Sequence, residues 1–297
     1  MKQRKSKQKL FIKEILICFL SILLLTHYIE AQNYCDFIKK VQAYQDSVEI
    51  CRDTSETNTY YMPNIIDSST FDIDVYMQMF DKLKIRQGFE CSVYFADYFL
   101  DGTPIIYVKE KDFDLNKYIG QKIIEKNVPN KDSVENNRRL FFNNFLDNPQ
   151  RRAFNNVTPD NTEEGFLQYL LFNQMGELFA LKWHSLEAQR YVICSDSEMI
   201  KIIEDYKDNN YSFMGFGTEK PSFQLFTFKI IDSINLFEID SYIKIKMLPD
   251  KCFITWYELE THHGIFRRTY LIYKTAPYLV EKVFEEKLAN INMNFNY

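Results

Sequence analysis

The sequence predicts an α+β fold, two αββα-like halves followed by a C-terminal antiparallel β-meander, and three patterns predict it. Apolar residues at helical spacing bracket strand-like pairs, that order occurs twice, and beyond Asn209 the spacing changes to period two. Eight glycines and eight prolines against 26 Phe and 20 Tyr fit a packed globule rather than a linker-rich or disordered chain.

In the first half, DIDVYMQMFDKL (72–83) places Ile73, Tyr76, Phe80 and Leu83 on one helical face. Its D-x-D, Asp72 and Asp74, is explained by capping and by the helix dipole rather than by a bound ion. ECSVYFADYF (90–99) then alternates, DGTP breaks it and IIYVK (105–109) resumes, which reads as a β-hairpin. Asp114 caps a second helix in which Leu115, Tyr118, Ile119 and Ile123 share a face.

The second half repeats the order. Asn161 with Glu164 resembles a capping box opening TEEGFLQYLLFNQM (162–175), and Gly176 is placed to end that helix. LFALKWH (178–184) and RYVIC (190–194) follow as strands. Ser195 and Glu198 then form a second capping box before MIKIIEDY (199–206).

The remaining strands are expected at 222–231, 241–248, 252–261 and 265–274, with tight turns at Pro249-Asp250 and His263-Gly264. APYLVEKVFEEKLANI (276–291) admits two readings. Val280, Val283, Phe284 and Leu288 suit a helix, whereas YLVEKVF extends the sheet. The domain organisation expected is a signal segment at 1–31, an α+β domain at 32–210, and a β-rich region at 211–297 belonging to the same or a second domain.

Export is expected from the N-terminus. Five basic residues lie within MKQRKSKQK, and the apolar run ILICFLSILLL (15–25) is shorter than the roughly 20 residues a spanning helix needs. The favoured reading is cleavage after Ala31 and a periplasmic or secreted product; the alternative is anchoring by an uncleaved N-terminal helix. Losing residues 1–31 removes six basic and two acidic residues, leaving 30 against 39 and a formal net charge of −9. That charge argues against a nucleic-acid partner, because phosphate binding needs a positive footprint.

Five cysteines remain in the mature chain: Cys35, Cys51, Cys91, Cys194 and Cys252. An odd number leaves at least one unpaired. Cys35–Cys51 is the bridge that spacing suggests; Cys91, Cys194 and Cys252 sit in apolar runs and read as buried free thiols.

DGTPIIYV (101–108) and TEEGFLQYLLFNQMGELFALKWHS (162–185) resemble stretches of an uncharacterised family of bacterial exported proteins, over about the middle third of the chain. The resemblance implies a bacterial envelope or secreted setting. It carries no activity, so no residue inherits a role from it.

The stretch with the most chemistry is ELETHHG (258–264). On an extended strand Glu258, Glu260 and His262 point the same way as Cys252, Ile254 and Trp256, so two carboxylates and an imidazole gather beside a turn. That set could hold a divalent metal or do acid–base work, with His263 or His184 assisting. His184 lies on the more polar side of its strand. The competing reading, which the strand-end position favours, is a solvated hairpin end. No H-E-x-x-H and no G-x-S-x-G occurs in the chain. No cofactor is predicted otherwise.

These observations favour a non-enzymatic binding protein of the envelope or exterior, of the inhibitor or immunity type. Its partner would be another protein, and contact with a membrane would come only through an uncleaved N-terminal segment. The alternative is a secreted hydrolase, metal-assisted through Glu258, Glu260 and His262.

Overall fold

The computed structural model describes residues 33–45, 47, 71–96, 103–113, 154–174, 190–207, 224–231, 235, 240–260 and 263–295. The signal segment, the helix expected after Asp114, the strand expected at 178–184 and the residue Cys51 lie outside the described residues.

Helix α1 (33–45) buries Cys35, Ile38 and Val41, spaced by three, and so presents one apolar face. Helix α2 (Ile73–Gln78) starts at Asp72, whose carboxylate accepts the backbone N–H groups of Asp74 and Val75 at 2.8 and 3.2 Å. It ends sooner than the periodicity suggests, because Leu83 opens strand β1 (Leu83–Ile85) instead of closing the helix.

Strands β2 (Phe89–Ala96) and β3 (Thr103–Glu110) form the antiparallel hairpin expected from their alternation, as a separate two-stranded sheet. β1 pairs with β4 (Val157–Pro159), which follows a turn of 3-10 helix at Phe154–Asn156.

Helix α3 (Glu163–Asn173) is capped one residue later than predicted. The Thr162 hydroxyl accepts from the Gly165 N–H at 3.0 Å, while Asn161 sits at φ 66° in the left-handed region that asparagine tolerates. Asp160 sets this up by accepting from both the backbone N–H and the hydroxyl of Thr162. The helix is buried from Gly165 through Phe172, including Phe166, Leu167, Tyr169, Leu170 and Leu171, so it runs through the core rather than along a surface. Each such large apolar side chain contributes roughly 1.5–3 kcal/mol.

Strand β5 (Arg190–Ile193) leads into helix α4 (Asp196–Lys207). Here the expected capping pair is present: Ser195 Oγ accepts the Glu198 N–H at 3.3 Å. The Glu198 carboxylate reaches one residue further back than the motif predicts, to the Cys194 N–H at 2.9 Å.

The predicted meander is present in part: the strands from 244 onward pair in sequence order, whereas the one expected at 222–231 pairs with the last strand instead of with its successor. Strands β6 (Gln224–Ile230), β7 (Lys244–Met247), β8 (Lys251–Glu260), β9 (Gly264–Tyr273) and β10 (Val280–Phe295) join β5 in a six-stranded antiparallel sheet of order β5-β8-β9-β10-β6. β7 and β5 pair along the same edge of β8, β7 against Cys252–Thr255 and β5 against Tyr257–Glu260. The segment that admitted two readings is a strand. Shifts of register between Lys282 and Phe284 and between Lys287 and Ala289 let it bury the neighbours Leu288 and Ala289, and they leave Val283 and Phe284, which a helix would have turned inward, exposed.

The core lies on both faces of this sheet. Cys252, Ile254, Trp256, Tyr270 and Ile272 face a cluster built from α1, α2, α3 and the β2–β3 hairpin. Tyr257, Leu259, Ile265 and Ile291 face Met199, Ile202, Ile203 and Tyr206 of α4. The strands assigned to the two αββα halves enter different sheets, β2 and β3 their own and β5 the six-stranded one, so equivalence of the halves is not seen among the described residues. Because β5 pairs with β8, the six-stranded sheet draws strands from both sides of the boundary expected at residue 210.

Candidate functional site

Period two and one hairpin register assemble the site. The tight turn at His263-Gly264 sets Glu260 opposite Gly264, Glu258 opposite Phe266 and Trp256 opposite Arg268. On the other edge of β8, Arg190 faces Glu260 and Val192 faces Glu258; across β9, Glu285 of β10 faces Arg268. Arg190, Glu258, Glu260, Arg268, Tyr270 and Glu285 therefore share one face, and their charges alternate from strand to strand.

Glu258, at 3% exposure, is the centre of this ladder. Its carboxylate accepts from Arg190 Nη2 at 2.6 Å and Nε at 3.2 Å, from Tyr270 Oη at 2.9 Å, and from Arg268 Nη1 and Trp256 Nε1. Five donor groups thus converge on an ionised carboxylate with about four lone-pair sites. Arg268 also reaches Glu260 Oε1 at 2.6 Å and, through Nε, Glu285 Oε2 at 2.6 Å. Arg190 Nε lies 3.4 Å from Glu260 Oε1, and Arg190 Nη2 donates to Tyr270 Oη at 3.2 Å. Lys282 Nζ completes the outer end on Glu285 at 2.6 Å, and the Arg268 guanidinium lies 4.5 Å over the Phe266 ring.

The electrostatics follow from burial and partners together. Burial by itself would push the Glu258 carboxyl up, but Arg190, Arg268 and the hydrogen bonds hold it below its ordinary value of 4.5. Burial opposes the charge on Arg268, yet Glu258 and Glu260 hold its guanidinium above its ordinary value. Burial, with the Glu258 charge beside it, pushes the Tyr270 phenol up.

ELETHHG is therefore not the solvated hairpin end that its position at a strand terminus favours. Glu258 and Glu260 are interior ion-pair partners, and among the described residues of the stretch His263, exposed in the turn, has the wet setting expected. His262 and His184 lie outside the described residues. Sequence reasoning missed Arg190, Arg268, Tyr270 and Glu285. The register of the 260/264 hairpin would have placed Arg268 on the face of Glu258; nothing in the local pattern pointed to Arg190, 68 residues before its partner.

Chemically, the arrangement suits a permanent anion better than a base. A divalent cation at Glu258 and Glu260 would have to displace two guanidinium groups. Among the described residues no group of three or more His, Cys, Asp and Glu is placed to hold a metal ion. A narrow recess lined by Leu171, Gln174, Arg190, Val192, Trp256 and Glu258 approaches the ladder and has space for about one water molecule. No helix among the described residues is long and apolar enough to cross a membrane.

Among the described residues the thiols are free: Cys194 and Cys252 are buried as the apolar runs suggest, and Cys91 is partly buried. Cys35, which spacing assigns to Cys51, is also free and directs its sulfur at the Cys194 carbonyl oxygen, 2.8 Å away.

Compared with protein-family models, with curated protein sequences and with solved structures, the chain matches none.

Proposed function

We propose that this chain is an exported bacterial protein that acts by binding another protein of the envelope or exterior, as an inhibitor or immunity-type protein does, and not by catalysis. The observation that carries the reading is the engagement of Glu258 and Glu260 by Arg190 and Arg268. The carboxylates a metal-assisted hydrolase would need already serve as structural partners within the sheet. The basic and apolar N-terminal segment supports export, and the net charge of −9 expected after its removal suits a basic partner through electrostatic complementarity. The paired αββα halves belong to the same proposal.

The test is capture of partners by the exported chain from an envelope fraction at low salt, followed by reconstitution with the purified partner. The expected result is a stoichiometric complex with a basic protein that weakens as salt is raised. Absence of any such complex, together with hydrolytic activity that His262→Ala abolishes, would overturn the reading in favour of the hydrolase.

A further inference from the structure

Cys35 and Cys194 are 159 residues apart in sequence and meet in the core. Cys35 lies on the buried face of α1; Cys194 is the first of two residues between β5 and α4, fixed there by the Glu198 carboxylate on its N–H. Their exposures are 2% and 0%. The Cys35 sulfur is 2.8 Å from the Cys194 carbonyl oxygen. We propose that Cys35 and Cys194 form the disulfide of the exported protein, tying α1 to the β5–α4 junction, and that Cys51 is left as a thiol. The proposal rests on the export reading for its oxidising compartment.

The chemistry is thiol–disulfide exchange with a disulfide oxidant, either a small-molecule disulfide or a disulfide oxidoreductase. The Cys194 side chain beside it holds the Cys35 thiol below its ordinary value, and Cys35 together with burial pushes the Cys194 thiol up. Cys35 is thus the first nucleophile. Its thiolate attacks one sulfur of the oxidant, the oxidant's S–S bond breaks, and one thiolate leaves and is protonated. Cys194 then gives up its proton and attacks the Cys35 sulfur of the mixed disulfide, releasing the second oxidant thiol. Two cysteine thiols lose two electrons and one oxidant disulfide becomes two thiols. With both sulfurs buried, exchange takes place as α1 docks during folding.

The experiment refolds the full chain from the reduced state in a glutathione redox buffer, blocks free thiols, and maps tryptic peptides without reduction. Trypsin separates the three relevant cysteines: the Cys35 peptide ends at Lys39, Cys51 lies in 41–52, and Cys194 in 191–201. The expected product joins the Cys35 and Cys194 peptides, with Cys51 alkylated, and the cross-link persists in Cys51→Ser and disappears in Cys35→Ser. A Cys35–Cys51 link, a glutathione adduct without a cross-link, or full alkylation of both Cys35 and Cys194 would overturn the proposal. Cell fractionation separates the two ideas, because a chain retained in the cytoplasm defeats the export reading while leaving the pairing in redox buffer unaffected.

Discussion

Arg268 sits directly across the sheet from Trp256, yet it bonds diagonally to Glu258, and both members of that ion pair are nearly inaccessible, at 5% and 4% side-chain exposure. A buried pair of this kind repays its desolvation only when its remaining donors and acceptors are also satisfied. Here Trp256, Tyr270, Glu260 and Glu285 do that, which makes the ladder a single interdependent unit joining β5, β8, β9 and β10.

Glu258→Gln keeps the shape and removes the charge. Two guanidinium groups would then stay buried against a neutral amide, and the expected loss is on the order of 3–5 kcal/mol of folding stability. Urea unfolding, with the midpoint lowered and the slope unchanged, is the measurement. A loss within about 0.5 kcal/mol, the size of a surface effect, would show that the ladder is not a cooperative unit.

The same carboxylate sets an acid limit. Its folded value lies below the ordinary 4.5, so the folded state holds fewer protons than the unfolded state in that interval. Its contribution is complete above the unfolded value and is lost as pH falls through the folded one. Stability of the natural chain should fall with acid in that window, and the fall should be shallower in Glu258→Gln. Equal acid slopes in the two proteins would remove Glu258 as the cause.

How much of this was legible in the sequence depended on the range of the interaction. Alternation in β8 and β9 and the short turn between them located the meander and placed Glu258 and Glu260 on one face, because period two is a local property. The fate of those carboxylates was not local. It turned on Arg190, delivered by a strand that pairs to the opposite edge of β8, and without that pairing a polar strand end reads as wet. For a similar reason 276–291 admitted both a helix and a strand: its two register shifts break the alternation that identifies strands. The capping residues, by contrast, were found to within one position, since a cap involves only three or four consecutive residues.

Gln168 is the polar exception in α3, fully buried among Phe166, Leu167, Tyr169 and Leu170. Its amide oxygen accepts the Lys82 N–H at 2.9 Å and its nitrogen donates to Asp81 at 2.8 Å, so one side chain joins the helix to the turn before β1. That donation is the largest cause holding Asp81 below its ordinary 3.8. Gln168→Leu should orphan the Lys82 amide, cost about 1–3 kcal/mol, and let the Asp81 carboxyl rise toward its ordinary value. Carboxyl titration by NMR reads the second effect independently of stability. An unmoved Asp81 would show that this contact does not hold in solution.

Gly264 closes the β8–β9 hairpin that sets the ladder's register. Its φ of 137° lies outside what an L side chain adopts comfortably, and a Cβ there would stand 1.8 Å from the carbonyl oxygen of Ala289 on β10. Relief would require β10 to move away from the turn, at the point where it passes from β9 to β6. Gly264→Ala should therefore destabilise the fold by more than the ~1 kcal/mol of an ordinary glycine replacement. It should also loosen the ladder, because the hairpin register is what brings Arg268 within reach of Glu258. Hydrogen exchange would report this as faster exchange of the β9 and β10 amides, together with a lower urea midpoint. If Gly264→Ala left both unchanged, the hairpin register would have to be held by the strands alone.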